Sequence, residues 1–347
     1  MKQTKSYAVT SPTSPFSPLT IERREVRPQD VSIEILYCGI CHSDIHTARN
    51  EWPGTVYPCV PGHEIIGKVI EIGNEVNNFK IGDTVGVGCF VDSCRTCENC
   101  QNHEESYCLN GATSTYDAPD KVSGGTTYGG YSKQIIVDKD FVLKITHKEN
   151  INAVAPLLCA GITTYSPLKH WRVGKGHKVG IVGLGGLGHM ALKLAVSFGA
   201  EVTVLSRSND KDADAKRLGA HHFEVISIPE NVQRLSCAYD FIIDTVSAPH
   251  DYNLCLGLLK TNGNMICLGV PPEPAEINVF GLIGKRRSLS GSLVGGIKET
   301  QEMLDYCAEH NIVSDIEMTT IDKIDEAYER VLKGDVRYRF VIDMKSL

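Results

Sequence analysis

The strongest constraint on this 347-residue chain is a glycine run set between a strand and a helix. His177-Lys-Val-Gly-Ile-Val reads as a buried strand, Gly183-Leu-Gly185-Gly186-Leu187-Gly188 follows, and His189 to Phe198 has a helical pattern. A G-x-G-x-x-G run in that setting turns a parallel strand into a helix and cradles a dinucleotide pyrophosphate. Gly183 permits the tight turn, Gly185 lets the backbone approach the phosphates, and Gly188 allows the helix to pack closely. The helix N-terminus then offers its positive dipole end to the phosphates. The alternation continues with a strand at Glu201-Val-Thr-Val-Leu-Ser, a helix at 213–218 and further strands near Phe223, Phe241 and Asn264. The expectation is an α/β, doubly wound parallel sheet of the Rossmann type.

The end of the second strand selects the cofactor. An NAD site usually places Asp or Glu about 20 residues past the first glycine, to bind the ribose 2′-OH. Here the residues are Ser206, Arg207 and Ser208, with Lys211 following. Hydroxyl, guanidinium and ammonium groups suit a 2′-phosphate, so NADP(H) is expected. Asp210 and Asp212 flank Lys211 and temper its part in this.

The chain has 13 cysteines, an odd number that metal ligation explains better than a disulfide framework. Four of them read Cys94-x2-Cys97-x2-Cys100-x7-Cys108. Four thiols so spaced can converge tetrahedrally with no open position, which is a structural zinc site. An iron–sulfur cluster would call for the C-x3-C-P continuation, which is missing. A nucleic-acid-binding zinc module would call for basic surroundings, but Asp92, Glu98, Glu104 and Glu105 stand against a single Arg95. The net charge of −7 likewise argues against nucleic acid as the main partner.

A second ligand set begins in Cys38 to Gly67. Cys41 and His63 lie in Gly- and Pro-rich segments that form tight turns. Thiolate and neutral imidazole are preferred zinc ligands, and two do not complete a site. Cys159, between an apolar helical run and a glycine, is the best candidate for the third. Taken singly, each of these residues is more often core.

Residues 1–150 read as a β-rich, barrel-like domain of short strands, with SPTSPFSP near the start as a surface loop or edge. Residues 151–289 are assigned to the nucleotide domain, and residues 290–347 return to complete the first. The N-terminus lacks a signal peptide's apolar core, and Val179 to Val196 is interrupted by glycines, His189 and Lys193. A cytoplasmic protein without a membrane segment is expected.

Together these motifs resemble the zinc-containing medium-chain alcohol dehydrogenases over essentially the whole chain. Gly62-His63-Glu64-x2-Gly67-x5-Gly73-x2-Val76 matches that family's zinc signature. Cys41-His42-Ser43-Asp44-Ile45-His46, the glycine run and Tyr338-Arg-Phe-Val341 resemble its cinnamyl alcohol dehydrogenase branch of NADP-dependent aldehyde reductases. Arg207 departs from that branch, which often has serine there.

The resemblance implies a role for each residue. Cys41, His63 and Cys159 hold a catalytic zinc, a Cys2His set known for alcohol dehydrogenases. Glu64 is an occasional fourth ligand or a carboxylate supporting the ligands, and Asp44 fixes the His63 tautomer. Ser43 and His46 relay a proton by way of the cofactor ribose. His42, Thr163, Ser206, Arg207 and Lys211 contact cofactor. Trp52, Cys89, Leu293 and Val294 line the substrate pocket. The implied protein carries two zinc ions per chain, one catalytic and one structural, and forms a homodimer. It reversibly reduces aldehydes to primary alcohols with NADPH. The alternatives are an NAD-dependent polyol or secondary-alcohol dehydrogenase, and a non-catalytic redox sensor that keeps both zinc and nucleotide sites.

Overall fold

Asp30-Val-Ser-Ile-Glu-Ile-Leu-Tyr-Cys-Gly-Ile forms the longest strand of the chain, Asp30–Ile40. It is rich in β-branched residues and buried on both faces, so even Ser32 is enclosed and is satisfied by the side-chain amide of Gln134. The computed structural model describes residues 1–347, and they fall into two units, 1–162 with 295–347, and 163–294.

In the first unit Asp30–Ile40 is the hub of a seven-stranded mixed sheet. The path runs Ile316–Thr320, Arg339–Asp343, Asp30–Ile40, Ile65–Ile72, Thr84–Val87 and Leu143–Lys144, and Gln134–Asp138 pairs with the first half of the hub. Register decides what the sheet presents. Ile40 lies opposite Phe340, and Cys38 opposite Ile65. Cys41 follows the hub, Glu64 precedes its neighbour and Arg339 opens the third strand. One end of these three adjacent strands therefore collects residues from three distant parts of the chain. The SPTSPFSP segment is not only a loop: the strands Lys2–Ala8 and Ser17–Arg23 flank its turn as an antiparallel hairpin.

The second unit is a six-stranded parallel sheet. Its order is His222–Val225, Glu201–Ser206, Lys178–Val182, Tyr239–Asp244, Leu259–Cys267 and Ser288–Gly291. Every ladder is parallel, and strand order reverses beside Lys178–Val182, where open α/β sheets bind ligands.

The domain boundaries shift from those read in the sequence, 150/151 and 289/290, to 162/163 and 294/295. The sixth strand, Ser288–Gly291, straddles the expected second boundary and belongs with the sheet it edges. The 3-10 turn Ala155–Leu158 is wholly buried and packs on the strands of the first unit. No single helix is long and apolar enough to cross a membrane.

Candidate metal centres and dinucleotide site

Cys41 is the N-cap of the helix His42–Ala48, reached directly from the end of the hub strand. Cys159 sits where the chain bends by 58° between the Ile151–Leu158 segment and the helix Ala160–His170. The two sulfurs lie 3.8 Å apart. With His63 and one carboxylate oxygen of Glu64, their ligand atoms all lie within 4.8 Å of one another, and all four residues are buried. The Cys159 thiol donates to Cys41 and, with Arg339 and His63 nearby, holds the Cys41 thiol well below its ordinary value against the opposing effect of burial.

Asp44 fixes this cluster from behind. Its carboxylate is fully buried and accepts the N–H of Cys41 at 2.8 Å, the N–H of Gly62 at 3.1 Å and the hydroxyl of Tyr131 at 3.3 Å. Asp44 Oδ1 also lies 3.0 Å from His63 Nδ1. A carboxylate accepts, so Nδ1 carries the proton and Nε2 keeps its lone pair for a metal.

Glu64 is held by Arg339, which is itself buried and donates to Oε1. Burial pushes the Glu64 carboxyl up to about 8, and the Arg339 guanidinium pulls the other way. Burial works against the Arg339 charge, but Glu64, Cys41 and Cys159 together raise its pKa above the ordinary value. Glu64 Oε2 is buried and has no hydrogen-bond partner. Two thiols, an imidazole lone pair and an unpaired carboxylate oxygen suit zinc.

The helix His42–Ala48 also carries the relay candidates. Ser43 Oγ lies 3.7 Å from the Cys41 sulfur. His46, one turn on, has its Nδ1 2.5 Å from Glu51 and its ring stacked on Trp52 at 4.9 Å. Trp52 is 44% exposed. Cys89 lies beside the cluster, its sulfur 3.8 Å from the Leu158 carbonyl, and the nearby Cys159 side chain lowers its pKa. His42 is on the surface.

Cys94, Cys97, Cys100 and Cys108 bring their sulfurs within 4.8 Å of one another. The chain wraps them with backbone donors: Cys97 N–H to Cys94 at 3.3 Å, Cys94 N–H to Cys108 at 3.5 Å and Leu109 N–H to Cys97 at 3.4 Å. Asn110 and the backbone N–H groups of Cys97 and Thr96 lower the Cys94 thiol to about 5. Four sulfurs so cradled fit a closed zinc site.

In the second unit Gly183 has φ +85°, and a side chain on Gly188 would collide with the Gly183 carbonyl, whereas the space over Gly185 is open. Leu187 is the N-cap of the helix Gly188–Ser197, with Gly186 before it in the turn. Ser206 ends its strand, and Arg207 and Ser208 are exposed beyond it. Lys211 Nζ donates to the carbonyl of Leu184 at 2.8 Å, so it clasps the glycine turn. The acids beside it are engaged elsewhere, Asp212 with Lys216 and Asp210 with Ser208. The open cradle over Gly185 and the cationic strand end fit a phosphorylated dinucleotide.

A family model described as alcohol dehydrogenase GroES-like domain matches residues 27–147, and one described as zinc-binding dehydrogenase matches residues 186–309. The NADP-dependent alcohol dehydrogenase C 1 of Mycolicibacterium smegmatis is 55% identical over 348 residues, covering 100% of this chain and 99% of that protein. The chain belongs to the zinc-containing medium-chain alcohol dehydrogenases. The aldehyde reductase YahK of Escherichia coli is 53% identical, with 99% of each chain covered. A cinnamyl alcohol dehydrogenase structure from Sorghum bicolor superposes with a TM-score of 0.96 at 43% identity, covering 99% of this dehydrogenase and 98% of that chain.

Some site residues of this dehydrogenase escape sequence reading. Glu51 holds His46, and its only signal is a carboxylate five positions on, just past the helix His42–Ala48. Arg339 stands in the Tyr338–Val341 motif, but nothing in that motif says that it meets Glu64. Of the pocket candidates, Leu293 is exposed and Val294 is buried with φ +41°, and both close the second unit, as Thr163 opens it.

Proposed function

We propose that the protein is a zinc- and NADP-dependent oxidoreductase that reversibly reduces aromatic, cinnamyl-type and aliphatic aldehydes to primary alcohols. One observation carries the reading. Cys41, His63 and Cys159 converge from three parts of the chain, and the helix that begins at Cys41 also carries Ser43 and His46. The names of the relatives, an NADP-dependent alcohol dehydrogenase and an aldehyde reductase, support it.

Cys41, Cys159 and the Nε2 of His63 would hold the catalytic zinc, with Glu64 as an alternative ligand. Zinc there supplies Lewis-acid polarisation of the aldehyde oxygen, and bound NADPH supplies the hydride. The two thiolates, Cys41 and Cys159, would balance the charge of a divalent ion held there. Asp44 keeps His63 in the ligating tautomer. Ser43 Oγ, beside Cys41, donates a proton to the oxygen that becomes the alcohol. His46 exchanges protons with solvent, steadied at Nδ1 by Glu51 and across its ring by Trp52. Trp52, Cys89, Leu293 and Val294 are offered as pocket lining.

Cys94, Cys97, Cys100 and Cys108 would hold a second, structural zinc. Gly183, Gly185, Gly186, Leu187 and Gly188 would bind the pyrophosphate, with Ser206, Arg207 and Ser208 at the 2′-phosphate and His42 and Thr163 as further contacts. Six ligating thiolates need a reducing compartment, which supports a cytoplasmic location. A homodimer is supported by the edge strand Ser288–Gly291 and the short helix Val279–Ile283, which leaves Val279, Phe280 and Ile283 60%, 74% and 68% exposed. An unpaired edge beside apolar side chains suits isologous pairing with a second copy.

The test is oxidation of NADPH and of NADH against a panel of aromatic and aliphatic aldehydes. Faster turnover with NADPH is expected. Turnover confined to NADH with polyols or secondary alcohols would make it a polyol dehydrogenase, and binding of either cofactor without turnover would make it a sensor.

A further inference from the structure

The nucleotide-binding unit contains a buried acid–imidazole pair for which the reaction has no use. Asp244 ends the strand Tyr239–Asp244, opposite Val182, which leads into the glycine turn. It is fully buried and accepts the N–H of Val246 at 3.1 Å. Its other oxygen lies 3.0 Å from His250 Nε2. The second ring nitrogen, Nδ1, lies 3.0 Å from the carbonyl oxygen of Ala248, and the ring stacks on Tyr252 with centroids 4.6 Å apart.

These two contacts count protons. A carbonyl oxygen only accepts, so Nδ1 must carry N–H. A carboxylate also only accepts, so either Nε2 carries a second N–H or Asp244 is protonated and donates to Nε2. In both arrangements the pair holds one proton more than a neutral imidazole beside a carboxylate. When that proton leaves, one nitrogen lone pair faces an acceptor, and one of the two contacts is lost.

The pair closes the segment 245–250 on itself, and that segment braces the glycine turn. Thr245 Oγ1 donates to the Val182 carbonyl at 2.8 Å. A Cβ on Gly183 would meet Val246 Cγ2 at 2.8 Å, and one on Gly188 would meet Thr245 Oγ1 at 3.1 Å. The turn has no slack against this segment, so the state of the pair is felt at the phosphate cradle.

We infer that Asp244 and His250 form a proton-holding latch that positions the glycine turn, so that dinucleotide binds tightly while the pair keeps its proton and more weakly once rising pH removes it. The inference rests on the reading of this unit as a dinucleotide site. The other ionisable groups around the pair are Tyr252 and Cys255 of the helix Tyr252–Leu258, Asp251 at its N-cap and Cys267 of the neighbouring strand. Asp251 is engaged by the N–H groups of Asn253 and Leu254. Burial pushes Tyr252, Cys255 and Cys267 up to about 12, so they stay largely neutral up to about pH 10.

The experiment measures NADPH dissociation constants by fluorescence from about pH 5.5 to about pH 10, the same range for every variant. Wild-type affinity is expected to fall by about tenfold or more across it. In Asp244→Asn the amide donates to a neutral Nε2 and its oxygen still accepts from Val246. The latch then needs no extra proton, so affinity at neutral pH is kept and the fall disappears. His250→Gln, whose amide donates to Asp244 at any pH, should also remove the fall and guards against misfolding of the first variant. A wild type that binds NADPH with the same affinity at both ends of the range, or an Asp244→Asn protein that binds and keeps the fall, overturns the latch and leaves the cofactor reading standing. A wild type that binds no NADPH at any pH overturns that reading and the latch with it.

Discussion

Gly39 lacks a side chain because the Glu64 carboxylate occupies that space: a Cβ on Gly39 would collide with Glu64 Oε2. The two residues are joined across the ladder, the Gly39 N–H donating to the Glu64 carbonyl at 2.9 Å. The bare backbone of the hub strand thus forms one wall of the catalytic cluster, and Arg339 forms another.

Gly39→Ala should therefore push the carboxylate off its position between Arg339 and the thiols. Overpacking of this kind costs about 1–3 kcal/mol. Denaturant unfolding should show that loss, and zinc release to a chelator should be faster than in the wild type. A variant as stable as the wild type, with unchanged release, would mean that Glu64 has room elsewhere.

Elemental analysis should find two zinc ions per chain. Cys41→Ser should lose the catalytic ion and its turnover while the fold is kept. Cys100→Ser should instead lower the melting temperature, because a closed site contributes folding free energy. Retention of both ions after Cys41→Ser would remove Cys41 from the ligand set.

His46→Ala should slow turnover without loss of zinc, since its ring faces Glu51 and Trp52 and no ligand sulfur. General acid–base participation contributes about 10²–10⁴-fold, less where solvent substitutes. Glu51→Gln keeps a hydrogen-bonding group beside Nδ1 and should cost less than His46→Ala. Steady-state rates with metal analysis on the same samples check both, and zinc loss in His46→Ala would make His46 a ligand.

Arg207→Ala should weaken NADPH by about tenfold to a hundredfold and leave NADH nearly unchanged, because a hydrogen bond to a charged group contributes about 1.5–3 kcal/mol. Ser206→Asp should reverse the preference by repelling the phosphate. Lys211→Ala should behave differently. Lys211 holds Leu184 in the shared glycine turn, so its loss should weaken both cofactors. Equal weakening of both by Arg207→Ala would place the 2′-phosphate elsewhere.

Asp30 gives a pH dependence of known sign. Burial pushes its carboxyl up, but hydrogen bonds from Arg27 and Arg24 outweigh this and hold it at about 2. A depressed folded value stabilises the protein above the unfolded carboxyl range, and that stability is lost as pH falls through about 2. With partial screening the contribution is about 1–2 kcal/mol. Urea unfolding between about pH 6 and about pH 3 should show the decline beginning, and Asp30→Asn should flatten it while lowering stability at neutral pH.

What the sequence determined by itself was local chemistry. The strand–glycine–helix turn, the four cysteines spanning Cys94 to Cys108 and the missing acid after Ser206 each lie within a few turns of chain, where backbone geometry ties spacing to shape. Tertiary structure decided what depends on sheet register. Arg339 reaches Glu64 across 275 positions because neighbouring strands end side by side, and Cys159 reaches Cys41 across 118 because the buried turn Ala155–Leu158 packs on those strands. Packing also moved the domain boundaries: Ala155–Leu158 lies in the apolar helical run before Cys159 in sequence, but its burial against the first sheet assigns it there. Even the short step from Asp244 to His250 needed the fold, since a ring's proton count follows from which acceptors face its two nitrogens.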